Sequence, residues 1–338
     1  MHEKVDIHMF AAAVPGCHRP AAQPLFGIGY TTELQTDFRE MNWVNLLKMD
    51  FSRTLGKGFR IDLGSISIAK TRPERLIDDR QGFSNIEADN LPFSLSVAGL
   101  SFSRGASCLF AGLRNMNEDY FASPVTSLFT NSSCGIFPTI AANYPIANYP
   151  LSSLGIHYTH EKERWRIQAS LYNGRGYNGF AADNFLFRFR PVSDGLFGIT
   201  SLNYRNHGSS YHLGGVLYNG FHICEAEAEK RSLSGILWGY VEQRLTKGLY
   251  LLAQYSAVFP SDVWCHRFGG AGVVMRFRTA EAGFFSGCAV FSAEKEYASE
   301  LTCRITFSDH VAIQPAVHLI QGACGFRQIT LMRLNIAL

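Results

Sequence analysis

The chain has 338 residues, is 46% hydrophobic and 13% aromatic, and holds charged residues to 17%, against about 25% in ordinary soluble domains. Its net charge of +3 is too small to argue for nucleic acid, and it has no basic run, so no nucleic-acid partner is expected. No stretch approaches the roughly 18 continuous apolar residues of a transmembrane helix, a test that says nothing about strands.

The first residues carry Lys4, Asp6 and His8 ahead of a short apolar run from Phe10 to Val14, a poor secretory signal. Ala13–Cys17 is only faintly like a lipoprotein cleavage site. Residues 1–26 are therefore left unassigned, as a mis-called start or a signal remnant, and 27–338 are read as one domain.

From Gly27 onward the pattern is strand, turn, strand. Candidate strands lie near 28–38, 43–55, 58–71, 92–104, 106–115, 151–161, 164–173, 184–191 and 195–205. Others follow near 210–219, 233–246, 248–259, 267–278, 280–292, 298–308, 311–322 and 326–338. Pro191 makes 184–191 the doubtful member, and without it the count is an even sixteen. In the clearest strand, Trp165, Ile167, Ala169 and Leu171 alternate with Arg164, Arg166, Gln168 and Ser170. Leu301, Cys303, Ile305 and Phe307 repeat the pattern, as do Phe187 with Phe189, and Met332, Leu334, Ile336 and Leu338. Period-two alternation fits either a soluble sandwich or a membrane barrel whose apolar parity faces lipid.

Three details favour the barrel. The strands arrive in hairpin order to the last residue. Arginines recur on the polar parity (Arg166, Arg188, Arg276, Arg304 and Arg333), as residues lining a lumen would. The chain also ends within a strand, as closure onto the first strand requires. Tight turns near 55–58, 161–163, 246–248 and 308–310 alternate with long connections at 72–91, 116–150, 174–184, 220–232 and 260–266. The expected fold class is thus all-β: a transmembrane antiparallel β-barrel of about sixteen strands. Tyr172 and Tyr177, near a strand end, are expected in an interfacial aromatic girdle.

The 116–150 connection is too long for an idle loop, and it carries Tyr120, Phe121, Leu128, Phe129, Ile136, Phe137 and Ile140, which need a surface to pack on. Folding inward as a constriction loop supplies one, with a short helix expected between Phe121 and Thr130 behind Pro124.

The run Leu113-Arg-Asn-Met-Asn-Glu-Asp-Tyr-Phe121, continuing to Ile140, resembles the carbohydrate-selective porin (OprB-type) family. The likeness extends through Ala142–Pro145, Tyr149–Ile156, Leu171–Gly174, Asp194–Gly198 and Leu217–Gly220, with Gly64–Thr71 and Phe83–Ile86 upstream. It implies an integral protein of a Gram-negative outer membrane, a sixteen-stranded barrel whose inward loops form a sugar-permeable constriction. The implied partners are small carbohydrates and outer-membrane lipids, as a homotrimer or a monomer. Arg114, Asn117, Glu118 and Asp119 are the expected polar constriction residues, with Tyr120 and Phe121 shaping the wall. An equally weighted reading has Glu118 and Asp119 pairing with Arg114 or a wall arginine to tie the loop down. A plugged barrel with a structural or docking role, and a soluble carbohydrate-binding β-protein, are the alternatives.

Enzyme readings find no footing. Gly174–Gly179 contains Gly-x-Gly-x-x-Gly but opens no helix, and Glu118 beside Asp119 is poorly placed to flank a scissile bond. The eight cysteines show no Cys-x-x-Cys spacing, so no metal site, cofactor or disulfide is expected.

Overall fold

The computed structural model describes residues 25–222, 233–259 and 263–338; the expectations for the first 24 residues, and most of the 220–232 connection, lie outside them. The first eight strands are β1 (Leu25–Thr36), β2 (Met41–Gly56), β3 (Phe59–Lys70), β4 (Leu91–Arg104), β5 (Ser107–Arg114), β6 (Ser153–Lys162), β7 (Trp165–Asn173) and β8 (Leu196–Asn206). The second eight are β9 (Ser209–Tyr218), β10 (Ser234–Arg244), β11 (Leu249–Phe259), β12 (Cys265–Arg276), β13 (Ala280–Phe291), β14 (Lys295–Ser308), β15 (Val311–Gly322) and β16 (Gly325–Ala337). Each pairs antiparallel with its sequence neighbours, and β1 pairs with β16, closing the barrel. The Ile28 and Leu338 backbones exchange hydrogen bonds of 3.0 and 2.8 Å at the seam.

The pleat sorts the side chains as alternation requires. On β7 Trp165, Ile167 and Leu171 are 49, 47 and 43% exposed, while Gln168 and Ser170 are 2 and 8% exposed. Because the apolar parity faces outward, the closed barrel excludes a soluble sandwich. Exposed aromatic side chains flank this outer belt: Phe26, Phe59, Trp165, Phe277 and Phe307 towards the short-turn end, and Trp43, Phe93, Phe259, Tyr297 and Phe326 towards the long-loop end. That is the surface a bilayer covers. Tyr172 and Tyr177 are not part of it. Both are buried, and Tyr177 donates its hydroxyl hydrogen bond to Asp194 at 2.9 Å.

The doubtful segment 184–191 is no strand. Leu186 donates its amide to the Gly179 carbonyl at 3.0 Å, the connection folds on itself, and a four-residue α-helix (Pro191–Asp194) precedes β8. Arg188 therefore lies in this connection, over the Tyr177 ring at 5.6 Å, and not on a lumenal strand. The helix expected after Phe121 is a single 3-10 turn at Thr126–Leu128; a one-turn α-helix follows at Pro138–Ala141.

Candidate functional site

Two connections turn into the barrel. Residues 115–152 pack against the inward faces of β7 to β15. Phe121, Phe129 and Phe137 form an apolar cluster with Trp238, Tyr240, Phe268 and Phe285, which fills the lumen on that side. Phe121 takes a left-handed backbone, φ 63°, a costly conformation for a bulky residue. It places the ring 4.8 Å from Trp238 and 5.3 Å from Phe137. Gly283 lets the segment approach: a Cβ there would come within 2.8 Å of Leu128 and 3.0 Å of Phe129.

Polar anchoring comes from wall carboxylates aimed at loop amides. Glu242 accepts from the Val125 and Thr126 amides, both at 3.0 Å, and from the Ser123 hydroxyl. Glu300 accepts from the Thr130 and Asn131 amides, both at 2.9 Å. Neutral groups add to this: Gln254 donates to the Cys134 carbonyl at 2.9 Å, and Gln314 to Leu128 at 2.5 Å. The sequence reading missed these carboxylates by following only the inward arginines. Glu33, Glu242, Glu296 and Glu300 all occupy inward-facing positions of their strands, where each is buried.

The second inward connection is 71–90. Its Arg80 and Gln81 amides each donate to Glu296 at 2.9 Å, and Ser84 donates to Glu33 at 2.6 Å. The two connections also bond each other: Asn85 donates its amide to the Thr130 carbonyl, and Ser132 to Gly82, both at 2.7 Å. Asp79 accepts from the Phe83 amide at 2.6 Å. Burial, reinforced by the Glu296 carboxylate, pushes the Asp79 carboxyl up to about 7.

The expected site residues divide into two groups. Arg114 and Asp119 form a bidentate pair, with contacts of 2.5 and 2.6 Å, buried against the wall. His157 lies 3.3 Å from the same carboxylate. Burial would raise the Asp119 pKa, but Arg114 and His157 override it and hold the group below its ordinary value. These two residues tie the loop down. Asn117, Glu118, Tyr120 and Phe121 instead border a cavity of about 610 Å³ between the inward connections and the inner faces of β2 and β3. Asn117 also accepts from the Tyr149 amide at 3.0 Å. Across this cavity Lys48 of β2 reaches Glu118 at 2.8 Å. Leu46, Ile66, Arg75, Asp78, Glu87 and Tyr149 complete much of its lining.

Four of the five expected lumenal arginines face inward. Arg276 donates to the Pro124 carbonyl at 2.7 Å and pairs with Glu281 at 2.6 Å. Arg304 reaches the Ser127 carbonyl at 3.3 Å and also pairs with Glu281. Arg333 holds Glu33 and the Asn85 side chain, the latter at 2.6 Å. Arg166 lies 3.8 Å from Glu161 and borders a small second cavity beneath residues 119–124.

No family model and no curated protein sequence matches the chain. Solved structures do. OprB of Pseudomonas putida, in its high-pH structure, superposes with a TM-score of 0.76 at 12% identity, covering 93% of this chain and 94% of that one. An anion-selective porin from Comamonas acidovorans gives 0.63 at 12% identity, covering 94 and 99%. A loop-deletion mutant of OmpT, an outer membrane protein of Vibrio cholerae, gives 0.61 at 10% identity, again covering 94 and 99%. The fold is therefore that of these barrels, as the resemblance implied.

Proposed function

We propose that this chain is an outer-membrane porin of the OprB type through which small sugars diffuse passively. The carrying observation is the cavity inside the closed barrel, bordered on one side by Asn117, Glu118, Tyr120 and Phe121 and on the other by Leu46, Lys48 and Ile66. Its lining mixes hydroxyl, amide and charged groups with aromatic rings. Polar groups replace the water around sugar hydroxyls, and rings cover the apolar face of a pyranose. The Lys48–Glu118 pair sets opposite charges side by side at this point, an arrangement that favours polar, uncharged solutes over apolar ones. In this reading residues 115–152 are the constriction loop, and Arg114 with Asp119 hold it without touching the solute.

Liposome swelling tests the reading. Vesicles carrying the protein swell in an isosmotic monosaccharide, and much more slowly in a large oligosaccharide. No swelling with a monosaccharide, together with single-channel conductance near zero, would sink the proposal in favour of a plugged barrel with a structural role.

A further inference from the structure

The connection between β7 and β8 is built rather than slack. The Asn178 amide donates to the Asn184 side chain at 3.1 Å, which returns a bond to the Asn178 side chain at 2.7 Å. Arg188 donates its amide to the Phe185 carbonyl at 3.0 Å. Leu186 is fully buried within the connection, yet Phe180, Phe185, Phe187 and Phe189 are 52, 40, 40 and 56% exposed. An ordered loop that turns four phenylalanines outward marks a contact surface.

Its position says what covers it. Phe180 stacks on Phe93, with centroids 6.1 Å apart and planes at 14°. Phe93 lies at the long-loop end of β4, on the parity opposite the buried Ser94 and Ser96. Phe180 thus joins this connection to the lipid-facing wall, and Phe185 and Phe187 pair with each other, centroids 5.9 Å apart. The same connection carries Arg175 and Arg190, both exposed, and the partly buried Arg188. Of its two carboxylates, Asp194 is turned inward to Asn173 and Tyr177, leaving only Asp183 at the surface.

We propose that residues 175–192 bind an anionic, phosphate-bearing lipid of the leaflet at the long-loop end. The phenylalanine rings enter the acyl layer, while Arg175 and Arg190 hold the headgroup phosphate, whose geometry a guanidinium fork matches. Arg175 and Arg190 start from one point, their backbones both bonded to the Asn173 side chain at 3.0 and 2.9 Å, and aromatic rings together with cations are what a membrane interface favours. The site stands whether or not the barrel conducts sugar.

Native mass spectrometry of the full chain, titrated in detergent with phosphatidylglycerol or phosphatidylcholine, tests this. Wild type retains phosphatidylglycerol in preference. The R175S/R190S variant loses that preference, by about fivefold per guanidinium, and keeps its weak retention of phosphatidylcholine. The F185S/F187S/F189S variant retains less of both lipids. Heat-modifiable mobility on a gel confirms that each barrel has folded. Equal retention of phosphatidylglycerol by wild type and R175S/R190S overturns the proposal. So does an oligomer that carries no lipid and that F185S/F187S/F189S dissolves, since a second copy would then cover the patch.

Discussion

Arg114 and Asp119 show how little a residue type says about its duty. Read from sequence, both were either polar groups of the constriction beside Glu118 or a pair tying the loop down; the structure forms the pair, in one bidentate contact. The reason is spatial. Arg114 ends β5 and turns inward, and the 3-10 turn at Met116–Glu118 returns the chain so that Asp119 meets the guanidinium. Sequence spacing could not decide between this pairing and a pair open to solute. Arg114→Ala leaves the Asp119 carboxylate buried without its main partner, a loss of about 3–5 kcal/mol. Its urea midpoint in detergent falls well below that of wild type, and pairing it with Asp119→Leu recovers part of the difference. Lys48→Ala acts differently. The barrel keeps its stability, conductance rises, and the reversal potential in a salt gradient moves towards cation preference, because Glu118 is left uncompensated.

Asp79 gives the 71–90 connection a pH dependence whose sign is fixed. The folded carboxyl titrates near 7 against an ordinary 3.8, so the folded form prefers the proton. Its stabilising contribution is complete below about pH 4 and is lost as the pH rises through 7, on the order of 4 kcal/mol in all. Amide exchange at Phe83 and Asn85, corrected for intrinsic rates, therefore speeds up between pH 5 and pH 8. Asp79→Asn removes that dependence; identical profiles for the two proteins would show that Asp79 does not titrate in this range.

At the scale of elements, the strands were legible and the inward connections only half so. A pleat writes itself locally: Trp165, Ile167 and Leu171 state their face two residues at a time. Phe187 and Phe189 imitate that pattern while lying in a loop, and nothing nearby except Pro191 exposes the imitation. The 115–152 connection announced itself by apolar residues with nowhere else to go. The 71–90 connection did not: it stood only as a long connection, and Arg72, Glu74, Arg75, Asp78, Asp79 and Arg80 make its first half densely charged. What turns it inward is remote in sequence: Glu33, Glu296 and Arg333. These anchors make a further prediction. Glu300→Ala strips the acceptors from Thr130 and Asn131 and costs about 1–3 kcal/mol of local stability for the unsatisfied amides. Open-channel current noise rises as the loop loosens. Gly283→Val reaches the same end by collision with Leu128 and Phe129, and the two variants should show the same exchange pattern over residues 126–132.

The whole molecule depends on a ring with no free edge. Deleting residues 331–338 exposes the hydrogen-bonding edges of β1 and β15, and such edges template association between chains. The truncated protein should form aggregates without a heat-modifiable band. The seam between Ile28 and Leu338 also bears on how the molecule is made. Every other strand pair joins near neighbours, but this one joins residues from opposite ends of the chain and is the slowest contact to find by diffusion. Until it forms, the nascent sheet is an open, sticky ribbon. The two halves of the seam are therefore exposed to competing chains through most of folding, and a longer-lived unclosed ribbon is expected to lower the yield of finished barrels.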